Sequence, residues 1–156
     1  MKIRLIPLFF LLLLDSCTTL EICDDYSQSE LVARFKTIEE GVVNDTIISG
    51  VTMFGIRDGR PDSLIYDSVS LSRIVVPLDS HNDYSRFILD INEQTDTLRI
   101  NHTTEFYMMS YTCGFAAMFT IESFQYSKTM IDTIEPINSV IDAELEQNEE
   151  HLWIYF

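Results

Sequence analysis

From Glu30 onward, apolar side chains recur at every second position. That is the period of a strand with one covered face, not of a helix. Leu31, Ala33 and Phe35 alternate with Val32, Arg34 and Lys36. Phe87, Leu89 and Ile91 alternate with Arg86, Ile88 and Asp90, and Leu98 and Ile100 with Thr97, Arg99 and Asn101. Asn92-Glu93-Gln94-Thr95 joins the last two runs at hairpin length, so they should pair antiparallel. Further strands are expected over residues 46–56, 69–76, 105–111, 115–124 and 151–156. Turn chemistry separates them at Arg57-Asp58-Gly59-Arg60-Pro61-Asp62, Asp79-Ser80-His81-Asn82-Asp83 and Thr112-Cys113-Gly114. Residues 139–148 carry Val140, Ile141 and Leu145 among acids and read as a short helix or an acidic loop. The expected fold is all-β, an antiparallel β-sandwich of about seven to eight strands, with the immunoglobulin-like arrangement as one form. Residues 30–156 should form this single domain, without repeat or internal linker.

The chain's start obeys different rules. Lys2 and Arg4 precede an unbroken apolar run at residues 5–14, then Asp15-Ser16-Cys17. A spanning helix needs about twenty apolar residues. The run has ten and contains Pro7, so residues 1–16 read as a signal peptide. Leu14-Asp15-Ser16-Cys17 resembles a bacterial lipobox, which directs thioether lipidation of its cysteine and cleavage just before it. Asp15 departs from that pattern, which has a small neutral residue there. Lipidation of Cys17 is expected, with residues 17–29 forming the lipidated cysteine and a short polar tether; secretion with an unmodified Cys17 is the other reading.

Three cysteines are an odd number, and lipidation of Cys17 accounts for one. Cys23 and Cys113 are then the only intramolecular pair, in a compartment where disulfides persist. Closing that loop would remove roughly 4 to 5 kcal/mol of unfolded-chain entropy in the simple loop treatment. Two buried, reduced cysteines or one reactive thiol are the competing readings.

Beyond residue 16 the chain has 8 Lys and Arg against 24 Asp and Glu, a formal charge of −16. Nucleic acid and anionic membrane surfaces are thereby poor partners, because binding either relies on clustered cations. Acidity of this kind serves solubility first, with a basic partner or divalent cations as the narrower reading.

Ile22-Cys23-Asp24, Thr95-Asp96-Thr97-Leu98, Tyr111-Thr112-Cys113-Gly114-Phe115 and the closing Ile154-Tyr155-Phe156 resemble a family of small uncharacterised lipoproteins from Bacteroidetes, a domain of unknown function. The resemblance spans nearly all of the chain after the signal peptide. It implies export, lipidation and a β-rich fold, and it places Cys23 and Cys113 inside landmarks, in agreement with the bridge. It names no activity and carries over no functional residue. Lipoproteins of that group that reach the cell surface often bear acids soon after the lipidated cysteine; here Glu21, Asp24 and Asp25 come late and scattered.

No catalytic residue, cofactor or metal site is assigned. The chain has no Gly-x-Ser-x-Gly elbow, and His81, His102 and His151 are its only histidines. In His102-Thr103-Thr104-Glu105 the histidine and acid fall on opposite faces of a strand, and the run reads as a solvated hairpin end. Asp79-Ser80-His81-Asn82-Asp83 begins like a calcium loop, but Tyr84 stands where glycine is required. Two aromatic runs stand out. Phe106-Tyr107-Met108-Met109-Ser110-Tyr111 is apolar on both faces, as a central strand covered on both sides would be. The sharper reading exposes Tyr107, Met109 and Tyr111 as a face for a ligand or partner. His151-Leu152-Trp153-Ile154-Tyr155-Phe156 ends like a barrel assembly signal, against which stand the lipid anchor and the short strands.

The expectation is therefore a lipid-anchored outer-membrane protein of the cell envelope, facing the periplasm or the cell surface. It would act as a non-enzymatic binding or structural module on an envelope protein or glycan. The alternative is an envelope hydrolase or carbohydrate-active enzyme whose site is assembled from distant acids or histidines. A histidine beside a serine and an aspartate in a pocket would favour the enzyme.

Overall fold

The computed structural model describes residues 29–57, 63–143 and 149–156. The expected signal peptide, Cys17, Cys23 and the tether before Ser29 lie outside these residues. Among the described residues the chain is all-β, with two mostly antiparallel sheets packed face to face. The strands are β1 (Glu30–Glu39), β2 (Val42–Asp45), β3 (Ile48–Ile56), β4 (Ser63–Leu71), β5 (Arg73–Pro77), β6 (Tyr84–Ile91), β7 (Gln94–Ser110), β8 (Gly114–Tyr126), β9 (Thr133–Pro136), β10 (Val140–Ile141) and β11 (Leu152–Tyr155).

One sheet runs β10-β8-β7-β6-β3-β4. The other runs β2-β1-β11-β9, with β5 also paired to β1. β2 and β5 share one edge of β1, β5 opposite residues 30–34 and β2 opposite residues 36–39, while β11 holds the other edge in parallel, Ala33 facing Leu152 and Lys36 facing Tyr155. The expected alternation sorts side chains as a sandwich requires: in β6, Ser85, Phe87, Leu89 and Ile91 point inward and the residues between them outward. Phe35, Leu152 and Ile154 from one sheet meet Val51, Met53, Leu98 and Ile100 from the other in a single core. At one corner Tyr66 of β4 ties the sheets together, its hydroxyl donating to the Val75 carbonyl and accepting from the Val75 N–H, both at 2.9 Å.

Two turns are local in origin. Asn92 (φ 51°) and Glu93 (φ 68°) both sit in the left-handed region, as do Glu40 and Gly41, giving the tight two-residue turns whose twist suits a hairpin. Gly50, at φ 74°, stands where β3 slips register against β4, and a side chain there would press on Asn92 Oδ1 at 3.3 Å.

The all-β sandwich is as expected, its described residues forming eleven strands in sheets of five and six. Three expectations need correction. Residues 69–76 are not one strand: the chain passes between sheets at Ser72, whose carbonyl accepts from Phe35 N–H. The runs at 98–100 and 105–111 are parts of one 17-residue strand, because His102 is buried where a solvated break was expected. Val140 and Ile141 pair with Thr120 and Phe119 as a strand, so residues 139–148 do not open as a helix.

Candidate functional site

The two-residue turn at Asn92-Glu93 sets the β6–β7 register, and that register puts Arg86 directly opposite Arg99 on the outer face of the larger sheet. Like charges so placed repel and are destabilising by themselves. Tyr84 lies beneath them, its ring centroid 3.9 Å from the Arg99 guanidinium carbon and 5.7 Å from that of Arg86. Arg99 Nε donates to Asn101 Oδ1 at 3.0 Å. None of the ion pairs among the described residues involves Arg99, in a chain with 25 acids to 10 bases. An open depression of about 520 Å³ spreads from this pair, lined by Ile56, Arg86, Thr97, Arg99, Gln125 and Tyr126. Lys128 stands near it with Nζ 5.7 Å from the Tyr126 ring. Planar guanidinium groups over an aromatic ring, with an amide and a hydroxyl nearby, suit a carboxylate, sulfate or phosphate borne on a polar ligand.

Sequence reasoning saw Arg86 and Arg99 only as outward residues of two strands. A two-residue turn at 92–93 pairs 91 with 94 and therefore 86 with 99, whereas the four residues 92–95 expected as the connection would pair 86 with 101.

The residues singled out beforehand fall elsewhere. Tyr107 and Met109 are half-buried on β7, and Tyr107 OH donates to Asp142 Oδ1 at 2.5 Å. Tyr111 lies beyond the strand end and is fully exposed. The expectation that 106–111 is covered on both sides fails, because Phe106 and Met108 are exposed. Their strand runs past the end of the opposing sheet. Cys113 lies between β7 and β8, and Cys17 and Cys23, the two cysteines expected to account for lipid and bridge, lie outside the described residues.

Ser85 and His102 meet at 3.0 Å, Oγ to Nε2, and Asp79 is close: its N–H donates to Ser85 Oγ at 2.7 Å. Both side chains are buried, and burial holds His102 below its ordinary range against the pull of Asp79, Asp83 and Glu122. The distances are those of a nucleophile and its base, but the hydroxyl is engaged on two sides. The cavity that Ser85 borders, with Asp79 and Arg57, is about 70 Å³, room for only a few waters. Asp79 is spent inside its turn, accepting from His81 N–H at 3.0 Å and from Asn82 Nδ2 at 3.1 Å. Burial raises its pKa, and these bonds with the nearby Arg57 outweigh that, leaving it below the usual range.

Asp96 is the most deeply committed acid. Its carboxylate accepts from Ser127 Oγ and from the backbone N–H groups of Thr129, Met130 and Ile131 at 2.5 to 2.9 Å. Burial pushes its pKa up, but these donors outweigh it and hold the group at about 2. It anchors the loop between β8 and β9, and no lone pair is left facing solvent for chemistry.

Residues 50–156 match DUF6452, a family of unknown function. No curated protein and no solved structure matches the chain. The matched span runs from β3 to β11, yet β1, which lies before it, is a central strand of its sheet.

Proposed function

The chain belongs to the DUF6452 family of unknown function, and we propose that it is a lipid-anchored protein of the cell envelope that binds an acidic ligand, such as an anionic glycan, on the outer face of its larger sheet. The observation that carries this reading is the direct opposition of Arg86 and Arg99 over Tyr84. The Arg99 guanidinium lies over the Tyr84 ring and in none of the ion pairs among the described residues, so it can take an anion by charge-assisted hydrogen bonds. The signal-peptide and lipobox-like sequence supports the address, with Cys17 as the lipidated residue.

Calorimetric titration with uronate-bearing and sulfated oligosaccharides, and with their neutral counterparts, tests it. Acidic ligands should bind and neutral ones should not, and Arg99→Gln should weaken binding by about tenfold or more, the worth of one charge-assisted hydrogen-bonding group. Equal affinity of wild type and Arg99→Gln for every acidic ligand would overturn the assignment.

A second reading, an envelope hydrolase, draws on the Ser85–His102 pair. A fluorophosphonate probe that labels Ser85 would establish it, and absence of labelling alongside ligand binding would leave the binding module standing.

A further inference from the structure

The β7–β8 hairpin continues beyond the sandwich. Residues 98, 100 and 102 face the core, and the same face carries on through Thr104, Phe106 and Met108, with Phe119, Ala117 and Phe115 opposite them on β8. Coverage stops at Phe119, which is buried against His102 with ring centroids 5.1 Å apart. One step further Ser29 Oγ donates to the Ala117 carbonyl, and the opposing sheet begins there, at Glu30. Past that level the hairpin extends by about 13 Å. Among the described residues nothing covers its inner face: Phe106 is 62% exposed, Met108 47%, Phe115 70%, and Tyr111 at the tip 100%.

Residues 106–121 include no charged side chain, the longest such run beyond the signal peptide in a chain that is 22% charged. Other exposed apolar side chains are set among charges: Ile38, Val42 and Val43 stand beside Glu39, Glu40 and Asp45, with Ile47 two residues beyond that aspartate.

We propose that this tip is a membrane-docking surface, with Phe106, Met108, Tyr111 and Phe115 seated among lipid headgroups and upper acyl chains. Three observations select a lipid surface. A protein with a formal charge of −16 beyond its signal peptide would be repelled by anionic headgroups through most of its surface, and here it presents an uncharged one. Phe, Tyr and Met at a protruding end are the side chains that partition into the bilayer interface. The chain enters the domain at this same end, since Ser29 bonds to Ala117, so a lipid on Cys17 would hold the tip, and not the opposite end, toward the bilayer. This last point rests on the anchored reading above; the bare uncharged tip does not.

The test is Tyr111→Trp in the full mature chain, on phosphatidylcholine and phosphatidylethanolamine vesicles with brominated acyl chains. The indole introduced at 111 should shift blue and be quenched, while Trp153, half-buried on β11 under the Lys36 ammonium and far along the chain's fold from the tip, keeps its emission. Adding Phe106→Ser and Phe115→Ser should cut the quenching by about tenfold, because each apolar side chain removed takes interfacial burial with it. Intact mass reports separately whether Cys17 carries lipid. If it does not, the anchor reading fails, and the same quenching measured at high lipid still decides the tip. Emission at 111 unchanged on vesicles, with or without the lipid anchor, overturns the proposal and leaves the tip to a protein partner.

Discussion

His151 satisfies both backbone groups of Val32. Its Nδ1 accepts the Val32 N–H at 3.0 Å, and its own N–H donates to the Val32 carbonyl at 2.9 Å. Both residues are buried, so no water replaces either bond readily. The contact joins residues 119 apart, just where β11 begins to pair in parallel with β1. Parallel pairing between distant segments has no turn to set its register, and this double bond supplies one fixed point.

His151→Phe keeps the bulk of the ring but orphans the Val32 N–H. The expected cost is about 1 to 3 kcal/mol, that of a buried donor left without a partner. Urea denaturation should show a lower midpoint with an unchanged slope.

The same geometry fixes a pH dependence. Burial lowers the pKa of His151 against the pull of Glu149, and burial lowers that of His102 against Asp79, Asp83 and Glu122. A proton on His151 Nδ1 would also meet the Val32 N–H head on. In the unfolded chain both histidines titrate near their ordinary value of about 6.5, so below that pH the unfolded state binds more protons. Their contribution is fully present above pH 6.5 and is lost as pH falls from there toward the lowered folded values. Urea midpoints measured between pH 8 and pH 5 should fall in the lower half of that range, and the fall should shrink in His151→Phe.

Asp96→Asn should be more damaging than its near-isosteric shape suggests. An amide nitrogen cannot accept, so some of the four donors converging on the carboxylate lose their partner in a buried site, at a cost of about 2 to 4 kcal/mol. The folded pKa of about 2 lies below the ordinary aspartate value of 3.8. The wild-type advantage is therefore present above pH 3.8 and fades as pH drops toward 2. The difference in stability between wild type and variant, measured at pH 7 and pH 3, should be larger at pH 7.

Legibility in the sequence followed the range of the interaction. Alternation alone predicted Phe87, Leu89 and Ile91 as the inward residues of β6, and Asn92-Glu93-Gln94-Thr95 the antiparallel β6–β7 pairing, because each depends on neighbours along the chain. The passage at Ser72 was hidden, since an apolar run looks the same whether it continues in one sheet or changes sheets. His102 read as a break in β7 because its burial depends on Ser85, seventeen residues away. Phe106 and Met108 read as core because period reports which face a residue is on, not whether the opposite sheet reaches it. The Arg86–Arg99 opposition depends on the turn being two residues long, and the polar run Asn92-Glu93-Gln94-Thr95 does not show by itself where the pairing begins.

A bridge from Cys113 to Cys23 would connect the hairpin tip to the anchor expected at Cys17. Cys113 sits in the turn between β7 and β8, its N–H donating to Ser110 Oγ at 3.0 Å. If its partner is Cys23, residues 18–22 alone separate the bridge from Cys17, and five extended residues span at most about 18 Å. The tip would then be held within reach of the headgroups by a covalent link as well as by its own apolar surface. Cys113→Ser should lower the melting temperature, with the loop-entropy figure of roughly 4 to 5 kcal/mol as the upper bound. It should also weaken the lipid quenching of an indole at 111, because the tip loses its short connection. Peptide mapping of the unreduced mature protein should yield one fragment joining Cys23 to Cys113. Alkylation of both cysteines without prior reduction would remove the bridge, the stability loss and the short tether together, and would leave membrane docking to rest on Phe106, Met108, Tyr111 and Phe115.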